Sequence, residues 1–241
     1  VTEENAAANV AVNDSLFLLS KGRFEVGIFA PLRYGLTDRV ELSTHPLAFF
    51  VAPNLSAKIA WNDERPWRLG TRHGVHYPTP LLNLVSREGA GGILPETTDV
   101  PHIIAITNEV LATTTVPLFR RWFTVRLGFT IAPNIGGEKL PPIELPIVFP
   151  RTAAYSSMIV GHAGLALEGK IAGPFFYFLD SALFVIPGFE GSFAMESTME
   201  LSWRPSGDRF MVAAGGRGIW GGYPYGEQYH VLPMLDAKFA F

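Results

Sequence analysis

Apolar and polar residues alternate along most of this chain with a period of two. The clearest stretch is 189–204. One face carries Phe189, Gly191, Phe193, Met195, Ser197, Met199, Leu201 and Trp203, and the other carries Glu190, Ser192, Ala194, Glu196, Thr198, Glu200, Ser202 and Arg204. Successive side chains of a strand point to opposite faces, so the pattern predicts one strand with an oily side and an acidic side. Similar alternation predicts eleven strands, at 23–31, 38–46, 53–62, 66–77, 102–112, 121–132, 155–168, 174–186, 189–204, 208–219 and 229–241.

A soluble sandwich or lipocalin-like barrel also alternates, with its apolar face inward. Three features favour a barrel with its apolar face toward lipid. The segments run to about 9–15 residues, matching a tilted membrane strand rather than the roughly 5–6 residues of a globular one. The apolar faces carry almost no charge, while the opposite faces carry nearly all of it. The tryptophans Trp61, Trp67, Trp122, Trp203 and Trp220 sit near segment ends, where an aromatic girdle meets the two membrane surfaces.

The last segment places Tyr229, Val231, Pro233, Leu235, Ala237, Phe239 and Phe241 at every second position, opposite His230, Asp236 and Lys238. A final alternating strand that ends on Phe resembles the C-terminal signature of Gram-negative outer-membrane β-barrel proteins. The resemblance covers this strand specifically and the other strands generically, and it identifies no subfamily. It implies an all-β, transmembrane, antiparallel up-and-down barrel surrounded by outer-membrane lipids. It also implies that Tyr229, Phe239 and Phe241 form the segment read by the barrel-assembly machinery. Bacterial barrels of this kind have even strand numbers. The short apolar run 15–20, turning at Lys21 and Gly22, is therefore read as a twelfth strand, with ten strands as the alternative count. On this reading 15–241 is the barrel, and 1–14 is a periplasmic or plug segment of a mature chain whose signal peptide has been removed.

Composition narrows the rest. Apolar residues make up 48% and charged residues 17% of the 241, so the chain has ample apolar surface to bury and disorder is excluded. The net charge of −3 lacks the basic excess of a nucleic-acid binder. There is no cysteine, which removes disulfides and thiolate chemistry, and 24 glycines with 19 prolines argue against long helices. The longest apolar stretch, 171–189, is broken by Gly173, Pro174, Asp180, Ser181 and Pro187, so no membrane-spanning helix is predicted. The acidic, Ala/Asn-rich start at 1–14 has neither the basic nor the apolar region of a signal peptide.

The polar faces give a candidate lumen. The earlier strands supply Arg23, Arg39, Lys58, Arg68, Arg72 and Arg126 against Glu25 and Glu41. The later ones supply Glu168, Asp180, Glu190, Glu196, Glu200 and Asp236 against Arg209, Arg217 and Lys238. Two arrangements follow. Opposed basic and acidic walls would set a transverse field across a hydrated channel. Alternatively the charges pair inside a plugged barrel, for instance Glu196 with Arg217. The proline-spaced apolar loop 139–151 either folds into the lumen, docks a partner, or lies over the rim.

Catalytic motifs are missing from the sequence: there is no nucleophile elbow and no His-Glu-x-x-His. His73 and His76 fall on opposite faces of one strand, which argues against joint metal binding. Gly216-x-Gly218-x-x-Gly221 matches a dinucleotide fingerprint only in letters, because no helix follows it. The chain is thus expected to be no enzyme and to hold no cofactor or metal. The expected function is a small channel or porin for ions or polar solutes. The alternative is a non-conducting structural or interaction component of a larger cell-envelope complex, reaching other envelope proteins through 1–14, 78–101 or 133–154.

Overall fold

The computed structural model describes residues 15–62, 66–87, 93–116, 121–143, 145, 148–188, 193–205, 209–224 and 226–241. Twelve antiparallel strands close into a barrel in which each strand neighbours the next in sequence. They are β1 (Phe24–Gly27), β2 (Leu32–Thr37), β3 (Val40–Thr44), β4 (Asn54–Ala60), β5 (Trp67–His76), β7 (Ala105–Val116), β8 (Arg121–Ile131), β10 (Ile159–Ala172), β11 (Phe175–Val185), β12 (Phe193–Trp203), β13 (Phe210–Tyr223) and β14 (Gly226–Ala240). A separate two-stranded ribbon, β6 (His102–Ile103) with β9 (Asn134–Ile135), and three helices, α1 (Pro46–Phe49), α2 (Thr79–Val85) and α3 (Phe149–Ser157), lie in the connections.

The twelfth strand is not the one expected from the sequence. Residues 15–20 form no strand. Instead the expected strand 23–31 ends early and Leu32–Thr37 forms its own strand. Pro31 is the reason. It has no N–H to give a ladder, so the chain bends over 28–31 and restarts. The consequence is a low wall: β1 to β4 hold 4, 6, 5 and 7 residues, while β10 to β14 hold 14, 11, 11, 14 and 15. A membrane strand needs about 9–11 residues. Beside the low wall, exposed Ile28, Phe29, Leu47, Phe49 and Phe50 carry the apolar surface onward from the loops.

The two ends of the barrel differ. At the turn end, Phe24 and Phe241 exchange backbone hydrogen bonds of 3.1 and 2.8 Å, and six residues or fewer separate β2 from β3, β4 from β5, β7 from β8, β10 from β11 and β12 from β13 in sequence. At the loop end lie 77–104 and 132–158, which carry α2, α3 and the ribbon. Short turns on one side and long loops on the other are the usual asymmetry of membrane barrels.

The faces decide the solvent. Leu127, Leu165, Met199, Leu201, Val231 and Leu235 point outward and are exposed, while Glu25, Arg33, Glu41, Lys58, Glu109, Arg126, Glu168, Glu196 and Lys238 are buried inside. A soluble barrel has the opposite arrangement. A closed sheet with a polar interior and an apolar exterior satisfies its backbone internally and suits hydrocarbon, so the barrel spans a membrane.

Candidate functional site: a filled, ion-paired lumen

At the turn end the chain fills its own lumen. Residues 15–20 run along the inside of β2 to β8, with Leu16, Phe17 and Leu19 buried. The Leu16 N–H donates to Thr113 Oγ1 at 3.1 Å and the Leu19 N–H donates to Glu41 Oε2 at 2.9 Å, while Lys58 Nζ donates to the Ser15 carbonyl at 3.0 Å. The Phe17 ring sits 4.6 Å from the Trp122 ring, and the Arg68 guanidinium lies 4.5 Å from the Phe17 centroid. Such a cation over an aromatic face is attracted by the ring quadrupole. Trp122 is therefore lumenal and not part of the girdle. It shares the parity of Thr124 and Arg126, both buried inside. The other four tryptophans are exposed: Trp61, Trp67 and Trp203 at the turn end, Trp220 at the loop end.

The charges pair locally rather than segregating into opposed walls. Arg33, only 1% exposed, bonds Glu41 through Nη2 at 2.6 Å and Glu25 through Nη1 at 3.3 Å. Lys58 Nζ stands 3.7 Å from Glu41. Further round, Arg72 bonds Glu109, and His162 Nε2 meets the other Glu109 oxygen at 2.8 Å. Arg126 Nη2 donates to Asp180 Oδ2 at 2.8 Å, lying across Gly164, where a Cβ would come within 2.6 Å of Arg126 Nε. Glu196 bonds Arg151 of α3 and stands 3.9 Å from Arg217 of the wall. Ions taken out of water need this pairing, because an uncompensated buried charge is strongly destabilising.

At the loop end the lumen is capped by apolar packing. Phe149, Ala153, Ala154 and Tyr155 of α3 join Leu82, Leu94, Ile103, Leu140 and Ile143 from the loops. They pack on Val160, Ile186, Ile219 and Tyr223, which reach them from the ends of strands. The apolar loop 139–151 thus lies in this cap where it is described. Tyr155 is bonded to His76 Nε2 at 2.6 Å, and burial pushes its phenol pKa up.

The remaining expected lumen residues fall in several places. Arg23 and Glu200 are partly buried, and Lys238 is buried inside. Asp236 accepts the Phe29 N–H at 3.1 Å and so holds the 28–31 bend. Arg39 and Arg209 are exposed in turns and do not line the lumen, because both lie outside the strands. Glu190 lies outside the described residues, as does 1–14. Sequence reading missed Arg33, Glu109, His162 and Arg151 as partners in this network. Arg33 was legible: Leu32, Tyr34 and Leu36 alternate with Arg33 and Gly35.

No protein-family model and no curated protein sequence matches the chain. Among solved structures, Pseudomonas aeruginosa OprD is similar over 92% of this chain and 61% of its own, with 13% identity and a TM-score of 0.44. OmpT, an outer membrane protein of Vibrio cholerae, is similar over 100% of this chain and 74% of its own, with 9% identity and a TM-score of 0.40. The chain spans less than two thirds of the length of OprD.

Proposed function

We propose that the chain is a bacterial outer-membrane barrel that rests closed and serves as a non-conducting component of the cell envelope. One observation carries this reading: the protein's own chain occupies the lumen from both ends, 15–20 at the turn end and α3 with its loops at the other. A porin needs a continuous hydrated path lined by groups that bind solute weakly. Here the lining charges are committed to one another. The exposed Tyr229 and Phe239 on β14, with Phe241 just after it, are the proposed assembly signal, and the outer loops are the proposed contact surface for other envelope proteins.

A second reading, a small-solute channel that opens when α3 withdraws, draws support from Arg151. It is 47% exposed and ties α3 to Glu196, which is buried. Single-channel recording in a planar bilayer separates the two. The closed component gives no steady current from the folded barrel, and Arg151→Ala leaves it silent. Steady, ion-selective steps from the unaltered protein overturn the proposal, and steps that arise only with Arg151→Ala favour the gated channel.

A further inference from the structure

The seat of residues 15–20 has properties that a simple filler does not require. It holds the segment through main-chain atoms: the Leu16 and Leu19 N–H groups and the Ser15 carbonyl meet Thr113, Glu41 and Lys58. Those atoms are common to every peptide. Side-chain selection comes separately, from the Trp122 and Arg68 clamp on Phe17 and from the burial of Leu16 and Leu19.

The wall is shaped to this chain. A Cβ on Gly70 would come within 2.7 Å of Leu16 Cδ2, and one on Gly35 would come within 2.6 Å of the Leu19 carbonyl oxygen. Glycine at 35 lets the segment's backbone lie directly against the sheet, and glycine at 70 leaves room for the Leu16 side chain.

Each polar group of the seat also has a second partner in the wall. Glu41 is held by Arg33, Lys58 stands by Glu41, and Thr113 Oγ1 is 2.9 Å from Thr124 Oγ1. If the segment left, each of these buried groups would keep a partner in the wall. This is the expected build for a ligand site and not for an irreplaceable core contact.

We propose that the turn end of the lumen is a binding site for an extended apolar peptide with a central aromatic residue, filled in cis by residues 15–20. The segment joins the barrel through a tight turn, with Gly22 at φ +81° and the Arg23 N–H bonded to the Ser20 carbonyl at 3.0 Å. A tether this short gives an effective concentration on the order of millimolar. A peptide in trans therefore binds only when the cis segment is weakened or drawn away.

The test uses the full-length barrel carrying Leu16→Asp and Leu19→Asp, with Trp61, Trp67, Trp203 and Trp220 changed to Phe so that Trp122 reports alone. A second chain replaces 15–20 with Gly-Ser repeats. The probe is a synthetic peptide of residues 13–22. The proposal expects a saturable change in Trp122 emission with both chains, and no change at the same concentration when the cis segment is native. Binding should weaken at least tenfold when the peptide Phe becomes Ala, and again when the barrel carries Thr113→Val. The absence of saturable binding to either altered chain, with folding verified by heat-dependent gel mobility, overturns the proposal. So does equal binding of a scrambled peptide.

Discussion

His162 Nε2 lies 2.8 Å from Glu109 Oε1 although β8 runs between their strands. Both residues are in register with Gly128 of β8, and it is the missing side chain there that lets them meet. A Cβ at Gly128 would come within 2.5 Å of Glu109 Cγ and 2.7 Å of His162 Nε2. Gly128→Ala should therefore separate the pair and lower stability by about 1–3 kcal/mol, the cost of a buried polar group left unsatisfied. Gly161, beside His162 on β10, faces the other way, and a methyl added there would meet no atom within 4 Å. Gly161→Ala should be neutral. Urea unfolding in lipid vesicles, followed by tryptophan emission, measures both.

Arg33 is the centre of the inner charge cluster, between Glu25 and Glu41. Arg33→Met leaves two buried carboxylates short of a cation and should cost about 3–5 kcal/mol. The quadruple change Glu25→Gln, Arg33→Met, Glu41→Gln and Lys58→Met removes the charges together, Lys58 included because it stands beside Glu41, and should unfold at a higher urea concentration than the single variant. The reverse order would show that the cluster does not act as a charge-balanced unit.

The low wall of β1 to β4 should make the barrel sensitive to its membrane. A span shorter than the hydrocarbon thickness is accommodated by local thinning, at a cost of fractions of a kcal/mol per ångström. Folding yield and unfolding midpoint should rise from 18-carbon to 12-carbon phosphatidylcholine vesicles. Flat behaviour across that series would contradict a wall of 4 to 7 residues per strand.

Tyr155 ties the loop-end cap to alkaline pH. Burial raises its folded-state pKa above the unfolded value of about 10. Below that value both states are protonated and the phenol's contribution is fully present. As pH rises above it, the unfolded state ionises first and stability falls. Tyr155→Phe should lose less stability between pH 9 and pH 11 than the unaltered protein, read from parallel unfolding curves. Equal slopes would remove Tyr155 from the alkaline response.

Much of this architecture was legible from period-two alternation, most clearly in β14 and in β12, where only Ser197 interrupts the apolar face. The start of the chain was harder for a physical reason. The run Ser-Leu-Phe-Leu-Leu-Ser at 15–20 has no alternation, which is the mark of a segment covered on all sides rather than of a wall strand. Pro31 gave the signal that 23–31 could not stay one strand. Trp122 was misplaced although its parity was available, because proximity to a segment end was weighed above the face it shares with Thr124. Glu109 was obscured by Asn108, an outward polar residue bonded to His73 at 2.7 Å, which breaks the clean apolar face of β7. Of the charge pairs, only Glu196 with Arg217 on the neighbouring strand was read from the sequence, and the others were beyond it. They depend on which strands a glycine allows a side chain to cross, and that is a property of the closed sheet.

The seam of the barrel sets the order in which it is made. β1 meets β14 at three register positions, whereas β13 and β14 meet at fourteen. The partners at that seam are more than two hundred residues apart, so their contact carries the largest loop-closure entropy in the fold and should form late. Residues 15–20 immediately precede β1. Whatever brings β1 to its place in the wall carries this segment with it through the turn at Gly22, so the stopper's arrival against β2 to β8 is tied to the placing of β1.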